Sequence, residues 1–169
     1  EQFARQFGSS YAVMVNSGSS ANLLIVAALR YTQNDKIKIL EGAEIVVPAV
    51  SWSTTYFPLQ QYGLKLKFVD VDLNTLNYDI KALQHAVTDE TRAIMVVNLL
   101  GNPNDFDAIN DIIDGRQVVI IEDNCESMGA TFNGRQAGTF GIAGSFSGFF
   151  SHHISTMEGG ICVTDDEEL

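Results

Sequence analysis

At 169 residues with 46% hydrophobic content, the chain has apolar material for one substantial core and is neither disordered nor fibrous. Its 21 acidic against 10 basic residues leave a formal charge of −11, which opposes nucleic acid and anionic membrane surfaces. No apolar run reaches the roughly 18 residues of a membrane span, and no charged-then-apolar leader is present.

From the N-terminus, the apolar spacing reads as a strand over residues 11–15 and a helix over 20–31. The polar, lysine-containing stretch 33–42 reads as a loop. Strands and helices then alternate: strand 44–47, helix 53–62, strand 67–71, helix 80–87, strand 93–98, helix 106–113 and strand 118–122. Strands over 142–146 and 160–163 complete the series. Strands that are apolar on both faces and separated by helices imply an α/β three-layer sandwich with a mainly parallel sheet. Such sheets hold ligands at the C-terminal ends of their strands, where Ser17 to Ser20, Pro48 to Trp52, Asn98 to Asn102 and Asp123 fall. Glu1 stands where a methionine would open a gene product, and Asp165 to Leu169 reads as the start of another helix, so a piece of something longer is expected.

Ser17-Gly18-Ser19-Ser20 joins a strand to an apolar helix. Its N–H groups and hydroxyls can converge on an anion, although a plain serine N-cap with a glycine turn has the same spelling. Trp52, the only tryptophan, follows a buried strand as either a platform for a planar ligand or a core residue. Asp123 ends the run Val118 to Glu122, where an anion can keep a pyridinium nitrogen protonated or can cap a helix start ahead of Asn124. His152 and His153 lack HExxH spacing and have no accompanying ligand cluster, so no metal is expected. Cys125 and Cys162 form no CxxC pair and read as buried free thiols in a reducing cytoplasm. No lysine occurs after Lys81. A lysine amine can hold an aldehyde cofactor covalently, whereas an imidazole moves protons or binds a metal.

In order, Ser-Gly-Ser-Ser at 17–20, Pro-Ala-Val-Ser-Trp at 48–52, Phe-Val-Asp-Val-Asp at 68–72, Asn-Leu-Leu-Gly-Asn-Pro at 98–103, Glu-Asp-Asn-Cys-Glu-Ser at 122–127 and the stretch 147–160 resemble the sugar aminotransferase family of fold type I pyridoxal phosphate enzymes. The likeness covers residues 1–169 as a partial large domain, with the family's C-terminal small domain absent. It is closest to the branch of sugar 3-dehydratases in which histidine replaces the cofactor lysine. By this resemblance Gly18 and Ser19, with Ser20 beside them, take the phosphate-binding positions, and Ser147 supplies a second phosphate hydroxyl. Trp52 takes the ring-stacking position, Asp123 that of the pyridinium partner, and Glu126 one near the ring hydroxyl. His152 stands where the lysine would.

The branch implies a noncovalently held cofactor, pyridoxal 5′-phosphate, and its amine form, pyridoxamine 5′-phosphate. It implies removal of the C3 hydroxyl from GDP-linked 4-keto-6-deoxymannose in the colitose pathway, with L-glutamate restoring the amine, and it implies a homodimer. His152 then takes the cofactor's C4′ proton and protonates the departing hydroxyl, since an imidazole can both accept and donate a proton. Two alternatives stay open: an iron–sulfur 3-dehydrase acting on a CDP-linked hexose, and a sugar-nucleotide-binding relative without catalysis.

Overall fold

The computed structural model describes residues 1–169. A short helix α1 (Gln2–Phe7) leads into β1 (Tyr11–Val15), α2 (Gly18–Tyr31), β2 (Glu44–Pro48), α3 (Ser53–Gln61) and β3 (Lys65–Val69). Next come α4 (Ile80–Ala86), β4 (Thr91–Val97), a 3₁₀ turn at Leu99–Gly101, α5 (Phe106–Ile113) and β5 (Val119–Asp123). A small hairpin of β6 (Thr131–Phe132) and β7 (Arg135–Gln136) precedes β8 (Ala143–Ser147) and β9 (Gly160–Thr164). Each expected strand and helix is present. Helix α1 and the β6–β7 hairpin are additions, and β3 starts at Lys65 rather than residue 67. As an edge strand it alternates lysines with apolar residues, which hid its beginning, while Val71 only bridges to Tyr78.

One seven-stranded sheet runs in the order β1-β9-β8-β5-β4-β2-β3. Neighbours from β8 through β3 are parallel, and β9 runs antiparallel to both β8 and β1. The connections account for this. A helix carries the chain back between β2 and β3, β3 and β4, and β4 and β5, and the longer segment bearing the β6–β7 hairpin does so between β5 and β8, whereas the loop 148–159 between β8 and β9 returns the chain directly.

The pleat divides each central strand between two cores. Ile45, Val47, Ala93, Met95 and Ile121 pack with α2 and α3, through Ile25, Val26, Leu29 and Leu59. Their neighbours Val46, Ile94, Val96 and Ile120 face the opposite way, toward Leu83 of α4 and Phe106 and Ile109 of α5. Two-sided burial explains the runs of Val and Ile without polar alternation, and it builds the expected three layers. At the β8–β9 end the second face is closed by α1, where Phe3, Phe7 and Phe146 form an aromatic cluster with ring centroids 4.3 to 5.3 Å apart. Polar side chains are kept for the strand ends, and those ends form the site.

Candidate active site

The C-terminal edge of the parallel strands holds a cavity of about 510 Å³. Gly18, Ser19, Trp52, Asp123, Glu126, Ser147 and His152 all line it, brought together from four connections of the sheet. No lysine or arginine lines it.

One end is an uncharged cup of N–H groups and hydroxyls. Ser17 caps α2, its Oγ accepting from Ser20 N at 3.1 Å, so the N-cap reading holds for that residue. The next N–H groups, those of Gly18 and Ser19, lie in the first helical turn, where no intrahelical acceptor exists. Ser20 is outside the cavity, its amide and hydroxyl both engaged with Ser17. A Cβ on Gly18 would sit 2.6 Å from Cys125 Sγ and 2.7 Å from Ser147 Cβ, so only glycine lets α2 approach the ends of β5 and β8 this closely. Ser147 Oγ accepts from Phe149 N at 3.2 Å, which leaves its proton for a ligand.

The other polar end is Asp123. It closes β5, only 6% exposed, and a turn rather than a helix follows, which removes the N-cap reading. Its Oδ2 accepts from Asn22 Nδ2 and from Thr55 Oγ1, each at 2.8 Å, and its Oδ1 accepts from Cys125 N at 3.1 Å. Trp52 corrects the core reading in the same way, since it caps α3 with 73% of its surface exposed and its ring bordering the cavity. Glu126 accepts at Oε2 from Leu100 N at 3.2 Å, and Leu100 carries a left-handed φ of 53°, a strained conformation at the cavity's rim.

Behind Asp123 the pleat turns Glu122 to the opposite face, fully buried. Gly138 N and Gly141 N donate to it at 2.6 and 2.7 Å, and Asn98 Nδ2 at 3.4 Å. Burial raises its carboxyl to about 7 against these donors. Burial, with Asp123 beside it, pushes the Cys125 thiol well above its usual range, and burial takes Cys162 to about 12. Both are unbridged protonated thiols, unsuited to nucleophilic chemistry.

His152 rides on the loop 148–159, whose neck is closed by Gly148 N donating to Gly159 O and Thr156 N donating to Gly148 O, each at 2.8 Å. Its own N–H donates to Phe149 O at 2.9 Å. His153 is exposed and outside the cavity. No group of three or more His, Cys, Asp and Glu side chains is placed to hold a metal ion.

The family model of the DegT/DnrJ/EryC1/StrS aminotransferases matches residues 1–169. The chain belongs to this family. It is 68% identical over 168 residues to a GDP-4-keto-6-deoxy-D-mannose 3-dehydratase of Escherichia coli O55:H7, covering 99% of this chain and 43% of that protein. Among solved structures it superposes with a TM-score of 0.96, at 67% identity, on GDP-4-keto-6-deoxymannose-3-dehydratase with a trapped PLP-glutamate geminal diamine. It superposes equally well, 0.96 at 67%, on a mutant of a GDP-4-keto-6-deoxymannose-3-dehydratase with bound GDP-perosamine. In both structures 99% of this chain matches 43% of the other. The chain therefore spans well under half the length of these members of the DegT/DnrJ/EryC1/StrS family.

Sequence reasoning missed Asn22, Ser51, Thr55, Phe149 and Glu158. The last four line the cavity, and Asn22 stands behind it on Asp123. Asn22 left one signal: it interrupts the apolar face of α2 between Ala21 and Ile25, and a polar residue there has to find a buried partner. Thr55 left none.

Proposed function

We propose that the full protein is a pyridoxal phosphate-dependent 3-dehydratase acting on GDP-4-keto-6-deoxymannose. It uses L-glutamate to regenerate pyridoxamine phosphate, works as a cytoplasmic homodimer, and belongs to the colitose route of O-antigen synthesis. The observation that carries this is the presence of His152 in one cavity with Asp123, Trp52 and Ser147, while no lysine lines that cavity. The relatives named for this activity and bound to PLP-glutamate or GDP-perosamine support it. They give no support to the iron–sulfur alternative.

The residues present fit the cofactor. Its phosphate suits a cup of N–H groups and hydroxyls, formed by Gly18, Ser19 and Ser147, in which a Cβ on Gly18 would collide with Cys125 and Ser147. Asp123 would offer a carboxylate to the ring N–H, Glu126 would serve the ring hydroxyl, and the exposed Trp52 would stack on the ring. When bound, pyridoxal phosphate supplies an electron sink for charge developing on the carbon it holds.

The chain's own contribution is binding, orientation and proton movement. Asp123 favours the protonated ring nitrogen and so the sink. His152 has no primary amine, so it leaves the cofactor untethered; its ring nitrogen takes a proton at the reacting carbon and returns one to the C3 hydroxyl as water leaves. Loss of the amine anchor thus converts an amine-transfer site into a deoxygenating one, releasing a 3-deoxy ketone and ammonia.

The test is the full-length protein with pyridoxamine phosphate, L-glutamate and the GDP-ketosugar, with product mass and ammonia measured. His152→Asn is expected to retain cofactor but lose turnover by about 10²-fold or more. His152→Lys is expected to gain a borohydride-reducible protein–cofactor bond and lose dehydration. A reducible bond in the unaltered protein, or full turnover in His152→Asn, overturns the proposal.

A further inference from the structure

The carboxylate of Asp123 is held from one side. Both lone pairs of Oδ2 are taken, by Asn22 Nδ2 and Thr55 Oγ1, whereas Oδ1 accepts from Cys125 N, with the Cys125 thiol also against the carboxylate. Each side-chain donor is in turn fixed from behind. Ser145 Oγ donates to Asn22 Oδ1 at 2.6 Å, which determines that the amide nitrogen faces Asp123. Thr55 spends its single proton on Asp123, so the 2.8 Å contact between Ser51 Oγ and Thr55 Oγ1 has Ser51 as donor. Asn22 and Thr55 are 1% exposed and Ser145 is fully buried, so these three hold their bonds with little access for water, while Ser51 is half-buried at the cavity wall. The parts come from α2, α3 and β8, with Asn22 lying 101 residues and Thr55 68 residues from Asp123.

The network saturates one oxygen of Asp123 and leaves the other with an open acceptor position on a residue that lines the cavity. We propose that Asn22 and Thr55 are positioning residues: they anchor Oδ2 of Asp123 and so reserve Oδ1 for the protonated ring nitrogen of the cofactor. Neither touches the reacting atoms. This rests on the cofactor assignment made above, and it adds the two residues that determine how strongly the carboxylate holds the ring proton.

The test uses full-length protein carrying Thr55→Val, which keeps the side-chain shape and deletes the hydroxyl, with Thr55→Ser as the conservative partner and Asn22→Ala as a second site. Pyridoxal phosphate labelled at its ring nitrogen is titrated by magnetic resonance, and its dissociation constant and the unfolding temperature of the cofactor-free protein are measured in parallel. Thr55→Val is expected to bind about tenfold more weakly and to release the ring proton about one pH unit lower, on the scale of one hydrogen bond to a charged group. Thr55→Ser is expected to restore both. If Thr55→Val lowers the unfolding temperature yet leaves affinity and ring titration unchanged, the role is structural and the inference is wrong. The same result from Asn22→Ala alone withdraws that residue. Failure of the unaltered protein to bind pyridoxal phosphate would strike the cofactor assignment instead, so the two outcomes are separable.

Discussion

At the scale of single residues, Glu122 and Asp123 show how one pleat gives adjacent carboxylates opposite environments. Asp123 faces the cavity and a set of donors, whereas Glu122 faces the interior and is raised from 4.5 to about 7 by burial. A carboxyl raised on folding is stabilising while it stays neutral. Its contribution is fully present below about 4.5, its ordinary value, and is lost as pH rises through about 7. Unfolding temperature should therefore fall over that interval relative to Glu122→Gln, which keeps a neutral group of similar shape. A gap between the two proteins that does not change with pH would refute this. That His152, Asp123 and Ser147 would meet in one cavity was legible in the sequence, because the quoted motifs place them at strand ends on one edge of the sheet. Thr55 was not, since its hydroxyl acquires meaning only when α3 is laid beside β5.

At the scale of elements, helices and central strands were readable because two-sided burial demands unbroken Val and Ile. Helix α1 was not, because its short amphipathic run is stabilised by a distant partner. Phe7 and Phe3 pack on Phe146 of β8, which is fully buried. Phe146→Ala is expected to cost about 3–5 kcal/mol and to detach α1, seen as lost protection of residues 2–7 in hydrogen exchange. Protection unchanged in that helix would show that it docks independently. The antiparallel sense of β9 was equally hidden, for nothing in Gly160 to Thr164 records direction. It has a local requirement, however: a Cβ on Gly160 would overlap the Ser17 carbonyl at the mouth of the cup. Gly160→Ala should cost about 1–3 kcal/mol and weaken cofactor binding together, since the strand and the cup must part. Calorimetry and binding measured on the same sample check whether both fall.

At the scale of the whole molecule, the sheet order places β1 beside β9, well over a hundred residues further along the chain. β1 has no sheet neighbour other than β9, and β9 separates it from β8, so Tyr11–Val15 is paired only when residues 160–164 are in place. During synthesis the strand that ends at the cup therefore waits, unpaired, until residues 160–164 have left the ribosome. Nascent chains arrested with β9 still inside the exit tunnel should keep residues 11–15 open to protease while β2, β4 and β5 are already protected, and release of β9 should close that window in one step. Strand β1 and the cup at its end thus take shape only after residue 164 has been translated, so closure of the cup follows the pairing of β2, β4 and β5 instead of nucleating it.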